Sequence, residues 1–158
     1  MHPVEIEFIP ILKQLQSEYE LKAKQKNLDL IFNYKTDRTS IFSDEYALTH
    51  SLSNLIDNAI KYTNHGFVKV TITDKNDDLC FLVEDSGIGI SEDYIKKLFE
   101  PYSQEEVGFA KKYEGIGLGL SLTKKLIEMA QGSINVTSKK NIGSSFQLCF
   151  PDINSNKS

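Results

Sequence analysis

The chain has 158 residues, a length typical of one domain. With 40% hydrophobic and 25% charged residues it has the composition of a globular domain, which excludes disorder, collagen and a coiled coil. The net charge is −4, from 18 basic and 22 acidic residues, so no nucleic-acid partner is expected. Its apolar runs are far shorter than the ~20 residues that span a membrane, and its first residues lack signal-peptide features. We expect a single domain over residues 1–151, a polar tail at 152–158 and no membrane contact.

A helix, a strand and a loop are predicted in the first forty residues. Apolar residues recur at helical spacing between Glu5 and Lys26, which predicts a helix there. These residues are Phe8, Ile11, Leu12, Leu15 and Tyr19. Leu28–Tyr34 alternates like a half-buried strand, and Lys35–Ser40 is a polar loop.

A second helix is predicted from about Asp44 to Tyr62. Ser43 or Asp44 is suited to cap its N-terminus, and Asn64–Gly66 is a typical helix terminator. Two strands follow at Phe67–Thr73 and Leu79–Asp85, joined as a hairpin.

The remaining segments complete one sheet with helices on a face. Ser91 caps a short helix that ends near Glu100, and the stretch Pro101–Tyr113 has no periodicity. A third long helix covers Leu120–Gln131, and a hairpin follows with strands Ser133–Ser138 and Ser144–Phe150. About five strands and three long helices in this order indicate an α/β layer structure.

The two cysteines, Cys80 and Cys149, both lie in apolar strand-like runs. No histidine or further cysteine stands at metal-binding spacing beside them. We therefore expect two buried free thiols in a reducing compartment.

The second helix carries a polar face. At about 100° per residue, Asn54, Asn58 and Lys61 lie within about 60° of one another. The other side is apolar, with Leu48, Leu52, Leu55, Ala59 and Ile60. Asparagine is a mediocre helix former, but its amide oxygen is a suitable ligand for Mg²⁺ beside phosphates. From the helix alone, a solvated face and a metal-nucleotide face both remain open.

Two glycine-rich segments lie beside regular elements. Glu84–Ile90 follows a strand, and there Gly87 and Gly89 permit a sharp turn beside the carboxylate of Asp85. Glu114–Ser121 opens the last long helix, where alternate glycines present backbone N–H groups that suit a phosphate. The spacing fits neither a Rossmann fingerprint nor a Walker A loop. For each segment alone, a tight turn without a ligand remains the alternative.

Taken together in this order, the segments resemble the signature boxes of sensor histidine kinases. Asn54–Thr63 resembles the N box, Asp85–Ile90 the G1 box and Leu98–Tyr102 the F box. Gly115–Leu120 resembles the G2 box, and Gly143–Phe146 is similar to the last small-residue turn of the family. The resemblance covers nearly the whole chain. It identifies the catalytic and ATP-binding domain of a two-component histidine kinase, in the superfamily that includes gyrase, Hsp90 and the mismatch-repair ATPases.

The resemblance implies a fold and roles for single residues. The fold is a two-layer α/β sandwich, with a mixed five-stranded sheet and three helices on one face. Asp85 would accept a hydrogen bond from the adenine amino group. Asn58 would hold Mg²⁺, and Asn54 would support the metal and the phosphates. Lys61 would reach the phosphates, which makes it with Asn54 the catalytic pair, and Tyr62 would pack against the base or ribose.

Other residues would admit or enclose the ATP. The resemblance implies a mobile lid at about Tyr102–Glu114, in keeping with its lack of periodicity. Gly87 and Gly89 would admit the nucleotide. The remaining implied cofactor-binding residues are Lys112, Gly115, Gly117, Gly119 and Leu120.

The implied reaction is phosphoryl transfer from ATP to a histidine. In the family this histidine lies on a separate dimerisation and phosphoacceptor domain, and a response regulator receiver domain is the next partner. None of His2, His50 and His65 lies in a long N-terminal helical hairpin, so we expect this chain to bind ATP without completing the reaction alone. We expect a cytoplasmic piece of a larger sensor, whose membrane attachment is left open.

Two positions depart from related proteins. Many family members place an arginine in the lid, whereas this lid has Lys111 and Lys112, which give point charges without a bidentate fork. Gyrase-like and Hsp90-like ATPases activate water with a glutamate four residues before the metal asparagine. Asn54 stands there, and an amide has no useful basicity, which argues against a hydrolase. The alternative function is a non-catalytic, nucleotide-sensing regulatory module of the same fold.

Overall fold

The computed structural model describes residues 2–100 and 116–153, with side chains in the second range described from residue 120. The predicted lid and most of the predicted tail lie outside these residues. The described residues form four helices: α1 (Phe8–Gln25), α2 (Glu45–Lys61), α3 (Glu92–Ile95) and α4 (Ile116–Met129). The same part of the chain contains seven strands: β1 (Val4–Glu7), β2 (Asp29–Tyr34), β3 (Ser40–Ser43), β4 (Phe67–Lys75), β5 (Asp78–Asp85), β6 (Ser133–Lys139) and β7 (Gly143–Pro151).

Five strands form one mixed sheet in the order β2-β4-β5-β7-β6. Strands β2 and β4 are parallel, and the other neighbouring pairs are antiparallel. The predicted five-stranded mixed sheet is confirmed. The described helices number four rather than the three implied by resemblance, because the segment capped by Ser91 closes one helical turn as α3.

The core lies between the sheet and the helices. Alternate residues of β4, β5 and β7 are buried and pack with the buried faces of α1, α2 and α4. The predicted apolar side of α2 is confirmed, since all five of its residues are buried. Phe81 of β5 lies at the centre, with edge-on ring contacts to Phe8 of α1 and Phe150 of β7. None of the described helices is long and apolar enough to cross a lipid bilayer.

Helix α2 is fixed at both ends. Asp44 is its N-cap, and the Oδ1 atom of Asp44 accepts the backbone N–H of Ala47 at 2.9 Å. At the other end, the Nζ atom of Lys26 donates to the carbonyl oxygens of Ile60 at 2.7 Å and Lys61 at 3.1 Å. A cation at the C-terminus of a helix is favourable because the unpaired carbonyls carry negative partial charge.

Two short strands were absent from the sequence-based prediction. Strands β1 and β3 pair antiparallel, with Ile6 opposite Ile41, so the first helix begins at Phe8 rather than Glu5. Each of these four-residue strands buries a single apolar side chain, which leaves no alternation to detect. Helix α4 begins at Ile116 rather than Leu120, so the predicted start of the last helix was also wrong.

The prediction of free thiols is wrong, because Cys80 and Cys149 form a disulfide. The register of β5 and β7 places these residues directly opposite each other, with their Cα atoms 4.1 Å apart. They are 69 residues apart in sequence, and only the strand pairing brings them together.

Candidate functional site

Asp85 ends strand β5, and its side chain contacts the turn that follows and the neighbouring strand β7. Its Oδ1 atom accepts the backbone N–H groups of Gly87 at 2.9 Å and Ser144 at 3.3 Å. Its Oδ2 atom accepts no hydrogen bond from the residues that the structure describes. Burial raises the pKa of the Asp85 carboxyl above its ordinary value of 3.8, and the two N–H groups partly oppose this rise. The carboxylate is thus held in one orientation with one oxygen available as an acceptor.

Backbone crowding requires glycine at two positions after β5. A Cβ atom at Gly87 would collide with the carbonyl oxygen of Tyr62 and lie 2.8 Å from Oγ1 of Thr63. Gly89 has a φ of 71°, and a Cβ atom there would collide with the carbonyl of Lys139. A side chain at either position would push the turn away from its neighbours.

Hydrogen bonds hold the same turn from both sides. On the side of α2, the N–H of Ile88 donates to the carbonyl oxygen of Tyr62 at 3.2 Å. On the side of the β6–β7 turn, Asn141 donates to the carbonyl of Ile88 at 2.6 Å. The N–H of Ile90 donates to Oγ of Ser138 at 2.7 Å. The turn is therefore part of the rigid framework around Asp85.

A cleft opens between α2, this turn, α4 and β7. It is lined by Asn58, Ala59, Tyr62, Asp85, Ile88, Gly89, Ile90, Leu120, Ser144 and Phe146. Most of its walls are apolar, and Asp85 and Asn58 supply polar groups. Apolar walls with a few placed polar groups are typical of small-molecule sites.

The polar face of α2 continues past the cleft toward the N-terminus of the helix. Asn54 is half-buried, and its Nδ2 atom donates to Oγ1 of Thr123 on α4 at 3.1 Å. Lys61 has an exposed side chain beside the C-terminus of α2. Asn54 and Lys61 are not among the residues that line the cleft, so only Asn58 of the three predicted polar residues lies on its wall.

A comparison with protein families decides the assignment. Residues 43–154 match the family described as histidine kinase-, DNA gyrase B- and HSP90-like ATPases. The chain belongs to this family. As a member of this ATPase family it is an ATP-binding domain, and the predicted family is confirmed.

Within the ATPase family, the chain is similar to histidine kinases. The chain is 37% identical over 150 residues to hybrid signal transduction histidine kinase B of Dictyostelium discoideum, which covers 89% of this chain and 8% of the relative. It is 32% identical over 157 residues to the autoinducer 2 sensor kinase/phosphatase LuxQ of Vibrio parahaemolyticus, covering 95% of this chain and 18% of the relative. The chain therefore spans less than a fifth of the length of these relatives.

Solved structures give the same similarity. The catalytic domain of histidine kinase ThkA, in a nucleotide-free form, superposes with a TM-score of 0.81 at 27% identity. The match covers 96% of this chain and 97% of that domain. The fold of this family member is thus the fold of histidine kinase catalytic domains, as predicted.

The structure brings five of the predicted nucleotide-binding residues together. Asn58, Tyr62, Asp85, Gly89 and Leu120 all line the cleft of this ATPase domain. A sixth, Gly87, donates to Asp85 from the adjoining turn. The predicted residues Gly117 and Gly119 fall in the first turn of α4, whereas Lys112 and Gly115 lie outside the described residues.

Four wall residues had no assigned role in the sequence analysis. Ile88, Ile90, Ser144 and Phe146 line the cleft, and Ser144 also donates to Asp85. The signal was present for Ser144 and Phe146, because both belong to the small-residue turn that resembles the family. Sequence alone did not show that this turn lies opposite Asp85 in the β5–β7 register.

The described residues fit a magnesium ion only through neutral ligands. No group of three or more His, Cys, Asp or Glu side chains converges in this part of the chain. Asn58 offers an amide oxygen on the cleft wall, with Asn54 one helical turn away. Mg²⁺ commonly keeps several waters and binds substrate phosphates with one or two protein oxygens, so this donor set fits the ion.

Proposed function

We propose that this chain is the ATP-binding catalytic domain of a sensor histidine kinase. It would hold ATP with the adenine in the cleft and the phosphates along the polar face of α2. The single observation that supports this proposal best is the carboxylate of Asp85, half-buried in the cleft with one oxygen fixed and the other available.

Adenine recognition follows from the geometry of Asp85. The exocyclic amino group of adenine is a donor, and the available Oδ2 atom is a charged acceptor, so their hydrogen bond is charge-assisted. Guanine has a carbonyl oxygen at the same position of the ring and would face the carboxylate with a second acceptor. The apolar side chains of Ile88, Ile90, Leu120 and Phe146 would pack against the base. We therefore expect selectivity for ATP over GTP.

The phosphates would lie beyond Asn58. Mg²⁺, when bound, would neutralise part of the phosphate charge there. The amide of Asn58 would hold this ion, Asn54 would support it, and the exposed ammonium of Lys61 would reach the phosphates. Lys112 and the glycines Gly115, Gly117 and Gly119 would enclose the phosphates, on the strength of family resemblance alone.

The reaction would be phosphoryl transfer to a histidine on another domain, with little protein chemistry beyond positioning and charge neutralisation. Asn54 replaces the glutamate that would activate water, so the domain would favour transfer over hydrolysis. The partners would be a dimerisation and phosphoacceptor domain and a receiver domain, on the cytoplasmic side of the parent protein. A structure that shares this fold is a complex of ThkA with the response regulator protein TrrA.

Calorimetry of ATP binding, with and without Mg²⁺, tests the site. Asp85→Asn removes the charged acceptor and should cost about 1.5–3 kcal/mol, or roughly 10–150-fold in affinity. Glu84→Gln is the matched control, because Glu84 is the neighbouring half-buried carboxylate on β5 and is absent from the cleft wall. No ATP binding, or equal binding by wild type and Asp85→Asn, would contradict the proposal.

A second experiment tests the transfer step. The chain is mixed with a phosphoacceptor helical-hairpin domain from a histidine kinase and radiolabelled ATP. Acid-labile, base-stable phosphate on the acceptor domain would support the kinase. A chain that binds ATP but phosphorylates no supplied acceptor would instead fit the nucleotide-sensing regulatory module.

A further inference from the structure

Thr123 interrupts the buried face of α4. Leu120 and Ile127 occupy this face and are fully buried, as is Ala130 directly after the helix. Thr123 lies between them at helical spacing and is also 0% exposed. An apolar face does not need a hydroxyl group, and threonine is a weaker helix former than leucine or alanine. The hydroxyl therefore requires a reason beyond packing.

This hydroxyl contacts Asn54, the asparagine that the proposed function assigns to the support of the metal. Helices α2 and α4 pack against each other, and the Nδ2 atom of Asn54 donates to Oγ1 of Thr123 at 3.1 Å. An asparagine amide has a donor end and an acceptor end that can exchange by rotation of the side chain. Fixing Nδ2 on Thr123 turns the Oδ1 atom away from this partner.

We propose that Thr123 is a positioning residue that orients the amide of Asn54, with Oδ1 directed toward the metal and phosphates. The inference rests on the proposed function, because it needs a phosphate end at Asn54. The hydroxyl proton of a threonine inside a helix can bond a carbonyl of the preceding turn, and the oxygen then serves as an acceptor. The acceptor selects the donor end of the amide. A cation would be repelled by the NH₂ end and attracted by the oxygen.

The test compares ATP affinity at saturating Mg²⁺ with affinity in EDTA. Thr123→Val keeps the shape and removes the acceptor, so the ratio of the two affinities should fall by about threefold to tenfold, the worth of one hydrogen bond. Thr123→Ser restores a hydroxyl and should restore the ratio. Asp85→Asn weakens both affinities through the adenine and should leave the ratio unchanged.

Tyr19→Phe is the matched control for a merely structural effect. The hydroxyl of Tyr19 contacts Oγ of Ser53 at 2.7 Å, which is an interhelical hydrogen bond to the residue next to Asn54. Loss of this hydrogen bond should lower thermal stability about as much as Thr123→Val does. It should not change the ratio of the ATP affinities measured with Mg²⁺ and in EDTA. A fall in the ratio for Tyr19→Phe equal to that for Thr123→Val would overturn the inference.

A double-mutant cycle with Asn54→Ala tests whether Thr123 acts through Asn54. If Thr123 acts through Asn54, Thr123→Val should change the ratio no further in the Asn54→Ala chain. A wild-type ratio in Thr123→Val, or additive effects in the cycle, would overturn the inference and leave the proposed function intact. Absence of ATP binding by the wild type would overturn both. Should Thr123→Val fail to fold, Thr123→Ala takes its place in every comparison.

Discussion

The two ends of the cleft are built by different means. The adenine end consists of Asp85 and the turn Ser86–Ile90, and backbone groups from β7, the end of α2 and the β6–β7 turn hold it in place. The phosphate end consists of Asn54, Asn58 and Lys61, which are side chains of one helix. Side-chain contacts support that helix, among them those from Thr123 and Lys26.

This difference determines how easily each end of the cleft can be changed by substitution. A site built from backbone groups cannot be altered without disturbing the sheet and the end of α2. A site built from side chains on a helix can be altered one residue at a time. We therefore expect substitutions in the turn Ser86–Ile90 to affect folding and binding together, and those at the phosphate end to affect them separately.

The largest effect is expected for Gly87→Ala at the adenine end. The new methyl group would collide with the carbonyl oxygen of Tyr62 and press on Thr63. Overpacking of this kind costs about 1–3 kcal/mol of unfolding free energy. Because the turn also carries Asp85, ATP affinity should fall at least as far as in Asp85→Asn. Urea denaturation and calorimetry measure the two losses.

Gly132→Ala is the control for this prediction. A Cβ atom at Gly132 would lie 2.5 Å from the carbonyl oxygen of Cys149, which is comparable crowding away from the cleft. It should lower stability while ATP affinity is retained by the folded chain. Equal loss of affinity in both variants would show that the adenine end has no special coupling between fold and binding.

A smaller effect is expected from acid. Burial raises the pKa of the Asp85 carboxyl above its ordinary value of 3.8, so this group is protonated at a higher pH than an exposed aspartate. ATP affinity should fall as the pH drops through that raised pKa, because the adenine amino group loses its charged acceptor. The contribution to folding has the opposite sign. The folded chain binds this proton more tightly than the unfolded chain, so the contribution of Asp85 to stability grows as pH falls through the window and declines as pH rises.

Calorimetry and denaturation of wild type and Asp85→Asn across this acid range check both signs. The variant carries an amide, so both of its curves should lack the wild-type inflection. A parallel fall of ATP affinity in the two proteins would assign the acid effect to another group.

At the phosphate end, Lys26→Met is expected to lower the unfolding free energy by about 0.3–1 kcal/mol. The ammonium of Lys26 binds the last carbonyls of α2, at Ile60 and Lys61, and methionine cannot replace it. Lys24→Met is the control, because Lys24 is an exposed lysine in the last turn of α1, two residues before Lys26. Thermal melts should separate the two variants, and ATP affinity should change little in either. Equal melting temperatures would remove the capping role.

The adenine end of the cleft was predicted from the sequence more completely than the phosphate end. Asp85 and the glycines of the turn after it were predicted from a motif, because local spacing encodes a strand end and a turn. The contact of Thr123 with Asn54 was not predicted. Thr123 lies 69 residues away, and its position is unremarkable in an amphipathic helix. A contact between distant segments leaves no local period to read.

The same limit explains two of the errors in the predicted fold. Strands β1 and β3 each bury one apolar residue, so their pairing is determined by register rather than by pattern. The Cys80–Cys149 disulfide likewise depends on the pairing of β5 with β7. In contrast, the buried faces of α1 and α2 were predicted well, because a periodicity sustained over about three turns constrains which side faces the core.

The smallest effect is expected at the ion pair of Lys22 and Asp57, which joins α1 to α2. The two charged groups are 3.4 Å apart, and their side chains are 58% and 41% exposed. Water screens such a pair, so Lys22→Met should change the unfolding free energy by no more than about 0.5 kcal/mol. Urea denaturation at low and high salt measures it. A salt-dependent loss above that of Lys26→Met would mean that surface charge, rather than the cap on α2, holds the phosphate-end helix in place.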